Sequence, residues 1–148
     1  MERKELKRKQ LVKDWMTGDV ITVTSDMSLT EAHRLMTDNK IRRLPVVKND
    51  HLVGIVTRGD VREARPSDAT SLTIWEVNYL ISKLKIKDIM APNPISILPD
   101  ATLAEAAQLM LDNKISGLPV VDSNKKVIGI ITESDIFRMV VQAWGKTE

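Results

Sequence analysis

Two threonine–aspartate pairs carry the clearest chemistry in this sequence. The segment "GIVTRGDV" returns as "GIITESDI", so that Thr57 and Asp60 match Thr132 and Asp135. A carboxylate can accept two hydrogen bonds from a vicinal diol, and a hydroxyl beside backbone N–H groups at a helix start favours a phosphate. Each pair is therefore a candidate site for a ligand that carries a diol and a phosphate.

The same residue types also have a structural use. Thr-x-x-Asp is a variant of the capping box, in which the two residues satisfy N–H groups in the first turn of a helix. Capping would be the better explanation of a single copy, and with two copies both roles stay open. Gly54 and Gly129, which precede the pairs, would let a ligand approach a strand closely.

The repeated motif belongs to a longer internal duplication. When Lys13 is aligned with Lys87, about half of the positions as far as Val47 are identical, and one extra residue within "DSNKK" then keeps the second motif in register. Each copy contains a β-branched run, a helix with a capping box, a hairpin around "LPVV" and a second helix. This order predicts an α+β fold of two β-α-β-β-α repeats that share a core about a pseudo-twofold axis.

The duplication sets the predicted domain boundaries. A basic N-terminal extension occupies residues 1–11, a first domain residues 12–66, and a second domain with its C-terminal helix residues 86–148. Residues 67–85 predict a linker helix between the two domains.

The linker helix is apolar on more than one face. Thr73 and Glu76 can form its capping box, and its candidate buried residues are Leu72, Trp75, Tyr79, Leu80 and Leu84. A helix of this kind is usually covered on both sides. We therefore expect a homodimer in which a second chain covers part of the helical surface.

Composition argues against several classes of protein. The 22 basic and 20 acidic side chains leave a net charge of +2, which is too small to imply nucleic acid by itself. The sequence has no cysteine, so it has neither disulfides nor thiolate metal sites. It shows no apolar run long enough to span a membrane and no signal-peptide pattern, so we expect a cytoplasmic protein.

No catalytic or metal constellation accompanies the aspartates. His33 and His51 have no metal-ligand spacing, and the sequence contains no P-loop and no activated nucleophile. We therefore expect a binding protein that is not an enzyme and needs no cofactor.

The duplicated unit, the "LPVV" hairpin and the closing Gly-hydrophobic-x-Thr-x-x-Asp motif resemble cystathionine-β-synthase (CBS) domains, which pair into Bateman modules. The likeness extends from Val12 to Val140. The central segment "ATSLTIWEVNYLISKLKIKDIM" is similar to the linker of acetoin-utilisation-type bacterial CBS proteins, here without the extra C-terminal domain that such proteins often carry.

The resemblance implies a regulatory module that binds an adenosine-containing ligand in the cleft between two CBS domains. It assigns the ribose hydroxyls to Asp60 and Asp135, and it places Thr57 and Thr132 near the phosphate. A basic residue directly before Leu-Pro is common in the family, and Arg43 fits that position. The implied adenine pocket comprises Ile21, Thr22, Val23, Ile95, Ser96 and Ile97, together with Gly54 and Gly129.

The two copies differ in charge around the motif. Arg43 and Arg58 of the first copy correspond to Gly117 and Glu133 of the second. A phosphate gains charge-assisted hydrogen bonds beside an arginine and meets a like charge beside a glutamate. We therefore expect one dominant nucleotide site, with Arg43 as its chief phosphate contact and Arg58 as a second. The alternative is that both arginines lie on the rim and pair with surface acids.

AMP, ADP and ATP are the expected ligands, and NAD and S-adenosylmethionine stay open because all five share adenosine. The regulated partner protein is not identified by the sequence.

Two other functions remain as alternatives. One is a nucleic-acid-associated regulator that uses a basic arm of Arg3, Lys4, Lys7, Arg8 and Lys9. The other is a structural dimerisation module whose sites are vestigial.

Overall fold

The computed structural model describes residues 10–66 and 71–145. The basic arm from Arg3 to Lys9 and the start of the predicted linker at residues 67–70 lie outside these ranges. The elements in chain order are α1 (Val12–Trp15), α2 (Leu29–Asn39), β1 (Arg43–Lys48), β2 (His51–Thr57), α3 (Arg58–Glu63), α4 (Ile74–Lys83), α5 (Ile86–Ile89), β3 (Ala91–Pro92), α6 (Leu103–Asn113), β4 (Gly117–Val121), β5 (Val127–Thr132) and α7 (Glu133–Gly145).

The chain forms two compact units, each containing most of one repeat. Of the described residues, those within Ile21–Pro94 form the first-repeat unit, and residues 10–20 and 95–145 form the second-repeat unit. The opening segment of each repeat, which holds α1 or α5, therefore belongs to the unit of the other repeat. The duplication, with its predicted boundaries at 12–66 and 86–148, does not follow this division.

The long helix of each repeat begins at the predicted capping residues. At α2 the Ser28 hydroxyl accepts a hydrogen bond from Glu31 N (3.2 Å), and at α6 Thr102 and Glu105 form a full capping box. Such caps satisfy N–H groups that a helix start would otherwise leave without partners. The apolar stripes that the two helices bury are Leu29, Ala32 and Met36, and Leu103, Ala106 and Met110.

The "LPVV" segments form the predicted antiparallel hairpins, β1 with β2 and β4 with β5. Both hairpins have a register shift at the second valine of the motif. Each unit buries its own aliphatic cluster between the hairpin and the long helix. The fully buried members include Leu44, Val46 and Val56 in one unit and Leu118, Val120 and Ile131 in the other.

The predicted first strand of each repeat is reduced to one bridging residue. In the first-repeat unit Val23 N donates to the Pro45 carbonyl (3.0 Å), and Val47 N donates to the Val23 carbonyl (2.8 Å). The next hydrogen bond of this parallel ladder would run from the Pro45 nitrogen to the Ile21 carbonyl. Because proline has no N–H, the ladder stops after one residue.

The second repeat stops its ladder in the same way. Ile97 N donates to the Pro119 carbonyl (3.0 Å), and Val121 N donates to the Ile97 carbonyl (2.9 Å). Pro119 offers no N–H to the Ile95 carbonyl. The proline of "LPVV" therefore fixes the length of the first strand in both repeats.

Gly54 and Gly129 lie where the opening segment of the other repeat crosses the sheet. A Cβ atom on Gly54 would lie 2.6 Å from Met90 Sδ, and one on Gly129 would lie 2.5 Å from Met16 Sδ and 3.0 Å from the Thr17 carbonyl oxygen. Both glycines permit a close approach, but the group that approaches is the protein's own chain. Both glycines therefore have a packing role, and their expected contact with a ligand stays a prediction.

The linker helix α4 is capped by Thr73, whose hydroxyl accepts from Glu76 N (3.2 Å). None of its residues is buried, and the exposed fractions reach 80% for Trp75 and 61% for Tyr79. The expectation that this helix buries its aromatic residues is therefore wrong for the single chain, because α4 packs mainly against α2. No helix in the described part of the chain is both long and apolar enough to cross a membrane.

The close packing over Gly129 can be tested by Gly129→Ala. We expect the free energy of unfolding to fall by about 1–3 kcal/mol, because the added methyl group would overlap Met16 and the Thr17 main chain. Gly18→Ala is the control, since no atom lies within 4 Å of a Cβ at that position, and it should change the value by less than about 0.5 kcal/mol. Urea unfolding followed by circular dichroism measures both. Equal losses would contradict the packing role.

Candidate ligand-binding site

Thr57 and Asp60 join the end of β2 to the first turn of α3. Asp60 Oδ2 accepts from Thr57 N (2.9 Å), and Thr57 Oγ1 accepts from Asp60 N (3.1 Å), which completes a capping box. Asp60 is half-buried, and these bonds use only one of its carboxylate oxygens. No group of the described residues donates to Asp60 Oδ1, so this oxygen keeps its capacity to accept hydrogen bonds from a ligand.

The second motif makes similar capping bonds but has a closed carboxylate. Asp135 is 3% exposed, and its Oδ2 accepts from Thr132 N (2.8 Å) and from the Thr132 hydroxyl (3.2 Å). Its Oδ1 accepts from Arg138 Nη1 at 2.6 Å in an ion pair along α7. Both oxygens of Asp135 are therefore occupied, whereas one oxygen of Asp60 is open.

This difference follows from a reversal of charge between the two helices. The residue that corresponds to Arg138 in the first repeat is Glu63, so Asp60 has no cation three residues further along its own helix. The predicted charge difference covers Arg58 and Glu133 but not Glu63 and Arg138. An acid followed three residues later by an arginine on a helix is a recognisable pairing signal, so Arg138 could have been found from the sequence.

The predicted phosphate contact Arg43 lies beside the first motif. It is the first residue of β1 and the register partner of Thr57 in β2. Directly opposed residues of an antiparallel pair project from the same face of the sheet. In the second repeat the partner of Thr132 is Gly117, so no cationic side chain occupies this place there.

The other predicted phosphate contact, Arg58, has a different environment. It is exposed and lines a cavity among α2, α3 and α4, whose lining includes neither Arg43 nor Asp60. Arg43 is therefore not among the residues that line this cavity, and the role of Arg58 as a second phosphate contact stays a prediction.

The side chains expected to form the adenine pocket divide into buried and accessible ones. Val23 and Ile97 are 2% and 7% exposed and belong to the cores of their units, so their side chains are committed to packing. Ile21 and Ser96 are half-buried, and Thr22 and Ile95 are exposed. Only the latter four have side chains that a ligand can reach.

The main chain near Val23 has unused hydrogen-bonding groups. Within the described ranges, no hydrogen bond involves the N–H or C=O group of Ile21 or Thr22. For the Ile21 carbonyl the cause is the Pro45 nitrogen, which has no hydrogen to donate. Counting back from the Val23–Val46 bridge sets Ile21 beside Leu44, one residue from Arg43. The same end of the sheet thus presents free amide groups, the Arg43 side chain and the motif that begins at Thr57.

Unequal use of the two aspartates should appear in stability. Asp135→Ala should lower the free energy of unfolding by about 1.5–3 kcal/mol, because it removes a buried charged acceptor and leaves Thr132 N–H without its partner, while the largely exposed Arg138 regains water. Asp60→Ala removes one half-buried capping bond and should cost about 1 kcal/mol. Urea unfolding of the two variants compares them directly. A larger loss for Asp60→Ala would contradict the observed pairing.

Comparison with known proteins agrees with the resemblance seen in the sequence. The CBS domain pair of protein MJ0100, solved with 5′-methylthioadenosine and S-adenosyl-L-methionine, is 34% identical with a TM-score of 0.75, over 93% of this chain and 98% of that one. CBSX2 of Arabidopsis thaliana, solved in complex with AMP, is 33% identical with a TM-score of 0.74, over 90% and 97%. The acetoin utilization protein AcuB of Vibrio cholerae is 30% identical with a TM-score of 0.74, over 93% and 97%.

The chain spans less than half of the length of several curated relatives that it matches, with shares of 46%, 24% and 22%. Residues 12–67 and 86–142 each match the family described as CBS domain. The expectation of a tandem pair of such domains is therefore confirmed, and the chain belongs to the CBS domain family.

Proposed function

We propose that this chain is a regulatory module that binds an adenosine-containing ligand at the first-repeat motif, with AMP, ADP or ATP as the expected ligand and AMP as the simplest of them. The observation that carries the proposal is the open Oδ1 of Asp60. It lies on a half-buried side chain whose other oxygen is held by Thr57 N–H. A carboxylate fixed in this way is already oriented for a donor such as a ribose hydroxyl.

Three groups at this end of the first-repeat unit match the three parts of AMP. The free N–H and C=O groups of Ile21 and Thr22 suit an adenine edge, which has both donors and acceptors. Asp60 Oδ1 suits the ribose diol, and the Arg43 guanidinium suits the phosphate. The ligands of the CBS pairs of MJ0100 and CBSX2 support adenosine as the shared part.

The second-repeat motif should bind the same ligand more weakly. A ribose at Asp135 would have to displace the 2.6 Å contact with Arg138 or share the oxygen that accepts it. Gly117 also stands where the first repeat has Arg43. Hydrogen bonds to charged groups contribute about 1.5–3 kcal/mol each, so these two differences favour the first repeat by a wide margin.

We infer that the module binds its ligand without converting it. The Thr57 hydroxyl accepts the Asp60 N–H in the capping box, and no described residue acts as a base toward it. A threonine in this setting is not an activated nucleophile. Ligand binding would then act by changing the activity of a regulated partner protein or of a domain that the module controls.

Calorimetric titration with AMP and with adenosine tests the proposal. Asp60→Ala should weaken both ligands by about 10- to 100-fold, which corresponds to the loss of hydrogen bonds to a charged group. Arg43→Ala should weaken AMP by at least about tenfold and leave adenosine nearly unchanged. Asp135→Ala is the matched control, and the tight binding should survive in it.

Circular dichroism establishes that each variant is folded. Unchanged affinity in folded Asp60→Ala would contradict the role of Asp60. Failure of the unaltered protein to bind adenosine or AMP would overturn the proposed function as a whole.

We also propose that the module is a homodimer. Phe137, Val141 and Trp144 lie on one face of α7 with exposed fractions of 63%, 68% and 68%. An apolar stripe of this kind marks an interaction surface, and a second copy offers the same stripe for isologous pairing. Light scattering should return the dimer mass, and Val141→Glu should shift it toward the monomer. A monomer mass for the unaltered protein at micromolar concentrations would contradict the proposal.

A further inference from the structure

A cavity of about 320 Å³ lies within the first-repeat unit among α2, α3 and α4. Its apolar lining comes from Leu29, Val61 and Ile81, of which the first two are nearly fully buried. The volume is at the small end of the range for sites that bind small molecules. The cavity can therefore hold the body of a small ligand against an apolar floor.

Three arginines line the same cavity. Arg58, Arg62 and Arg65 follow the i, i+4, i+7 spacing that places side chains on one side of a helix. None of them forms an ion pair with any described residue, and no carboxylate is among the lining residues that the structure describes. Like charges at this spacing repel each other, so the protein maintains a concentration of positive charge that an anion would relieve.

The fold does not require these cations. The corresponding residues of the second repeat are Glu133, Phe137 and Val140, so the same helical face is acidic and apolar there. His33, which also lines the cavity, corresponds to Ala107. The first repeat alone therefore combines an apolar floor with several nitrogen donors.

We propose that this cavity binds an organic phosphate, with the phosphate on the arginines and the apolar part of the ligand on the floor of Leu29, Val61 and Ile81. A guanidinium group can form two parallel, charge-assisted hydrogen bonds with phosphate oxygens. A lysine ammonium group cannot reproduce this paired geometry. The lining includes neither Asp60 nor Arg43, so the site is separate from the proposed nucleotide site and does not depend on it.

Phenyl phosphate is the probe, because it joins a phosphate to an apolar ring of suitable size. Calorimetry or ligand-observed NMR should show that it binds the unaltered protein more tightly than inorganic phosphate does, owing to the apolar floor. The double variant Arg62→Ala/Arg65→Ala should weaken phenyl phosphate by at least about tenfold. Because both arginines are exposed, we expect the double variant to fold.

The control is Lys48→Ala/Lys126→Ala, which removes the same charge from two exposed residues outside the cavity. It should leave phenyl phosphate binding within about twofold, as expected for surface charges that act only at long range. Asp60→Ala should also leave this binding unchanged while it weakens AMP.

The absence of phenyl phosphate binding in the unaltered protein would overturn the proposal. Equal losses in the arginine and lysine variants would also overturn it, because the attraction would then be a general effect of net charge. Loss of phenyl phosphate binding in Asp60→Ala would place the probe at the nucleotide site and reject a second one. The proposed function at Asp60 would survive the first two of these results.

Discussion

The missing N–H group of the proline in each "LPVV" hairpin is the constraint on which the candidate site depends. Pro45 accepts a hydrogen bond from Val23 but has none to give to Ile21, so the parallel ladder ends after one residue. A longer strand would use the amide groups of Ile21. Because the ladder ends there, these groups stay available beside the start of β1, where Arg43 faces the end of β2.

The two repeats keep this backbone arrangement and differ in charge. Asp60 and Asp135 both stabilise a helix start through a threonine N–H, so capping does not distinguish them. What distinguishes them is the residue three positions later, Glu63 in one repeat and Arg138 in the other. An internal duplication thus keeps the structural use of an aspartate in both copies while one copy leaves a carboxylate oxygen open.

Features that depend on neighbouring residues could be predicted from the sequence. The caps at Ser28 and Thr102 and the hairpins at "LPVV" follow from local hydrogen bonding and turn chemistry, and the structure confirms them. The short first strand follows from proline chemistry as well, although only once the register of the parallel bridge is known. The pairing of Asp135 with Arg138 was within reach of the same local rules.

Features that depend on distant contacts could not be predicted in this way. The exchange of opening segments between units depends on tertiary packing. It explains why Gly54 and Gly129 contact methionines that lie far away in the sequence. The apolar residues of α4, such as Trp75, are exposed because helical periodicity indicates which face is apolar and not what covers it. The grouping of arginines around the first-repeat cavity could not be predicted either, because the cavity exists only where α2, α3 and α4 pack together.

The most direct test of the account is AMP affinity in a Glu63→Arg variant, measured by calorimetry. This change places an arginine three residues after Asp60 and so reproduces the pairing that closes Asp135. We expect the AMP affinity of Glu63→Arg to fall by about tenfold or more, because the open oxygen becomes occupied, while Glu63→Gln binds AMP as the unaltered protein does. Undiminished affinity in a folded Glu63→Arg variant would contradict the claim that the open carboxylate of Asp60 makes the first repeat the binding site.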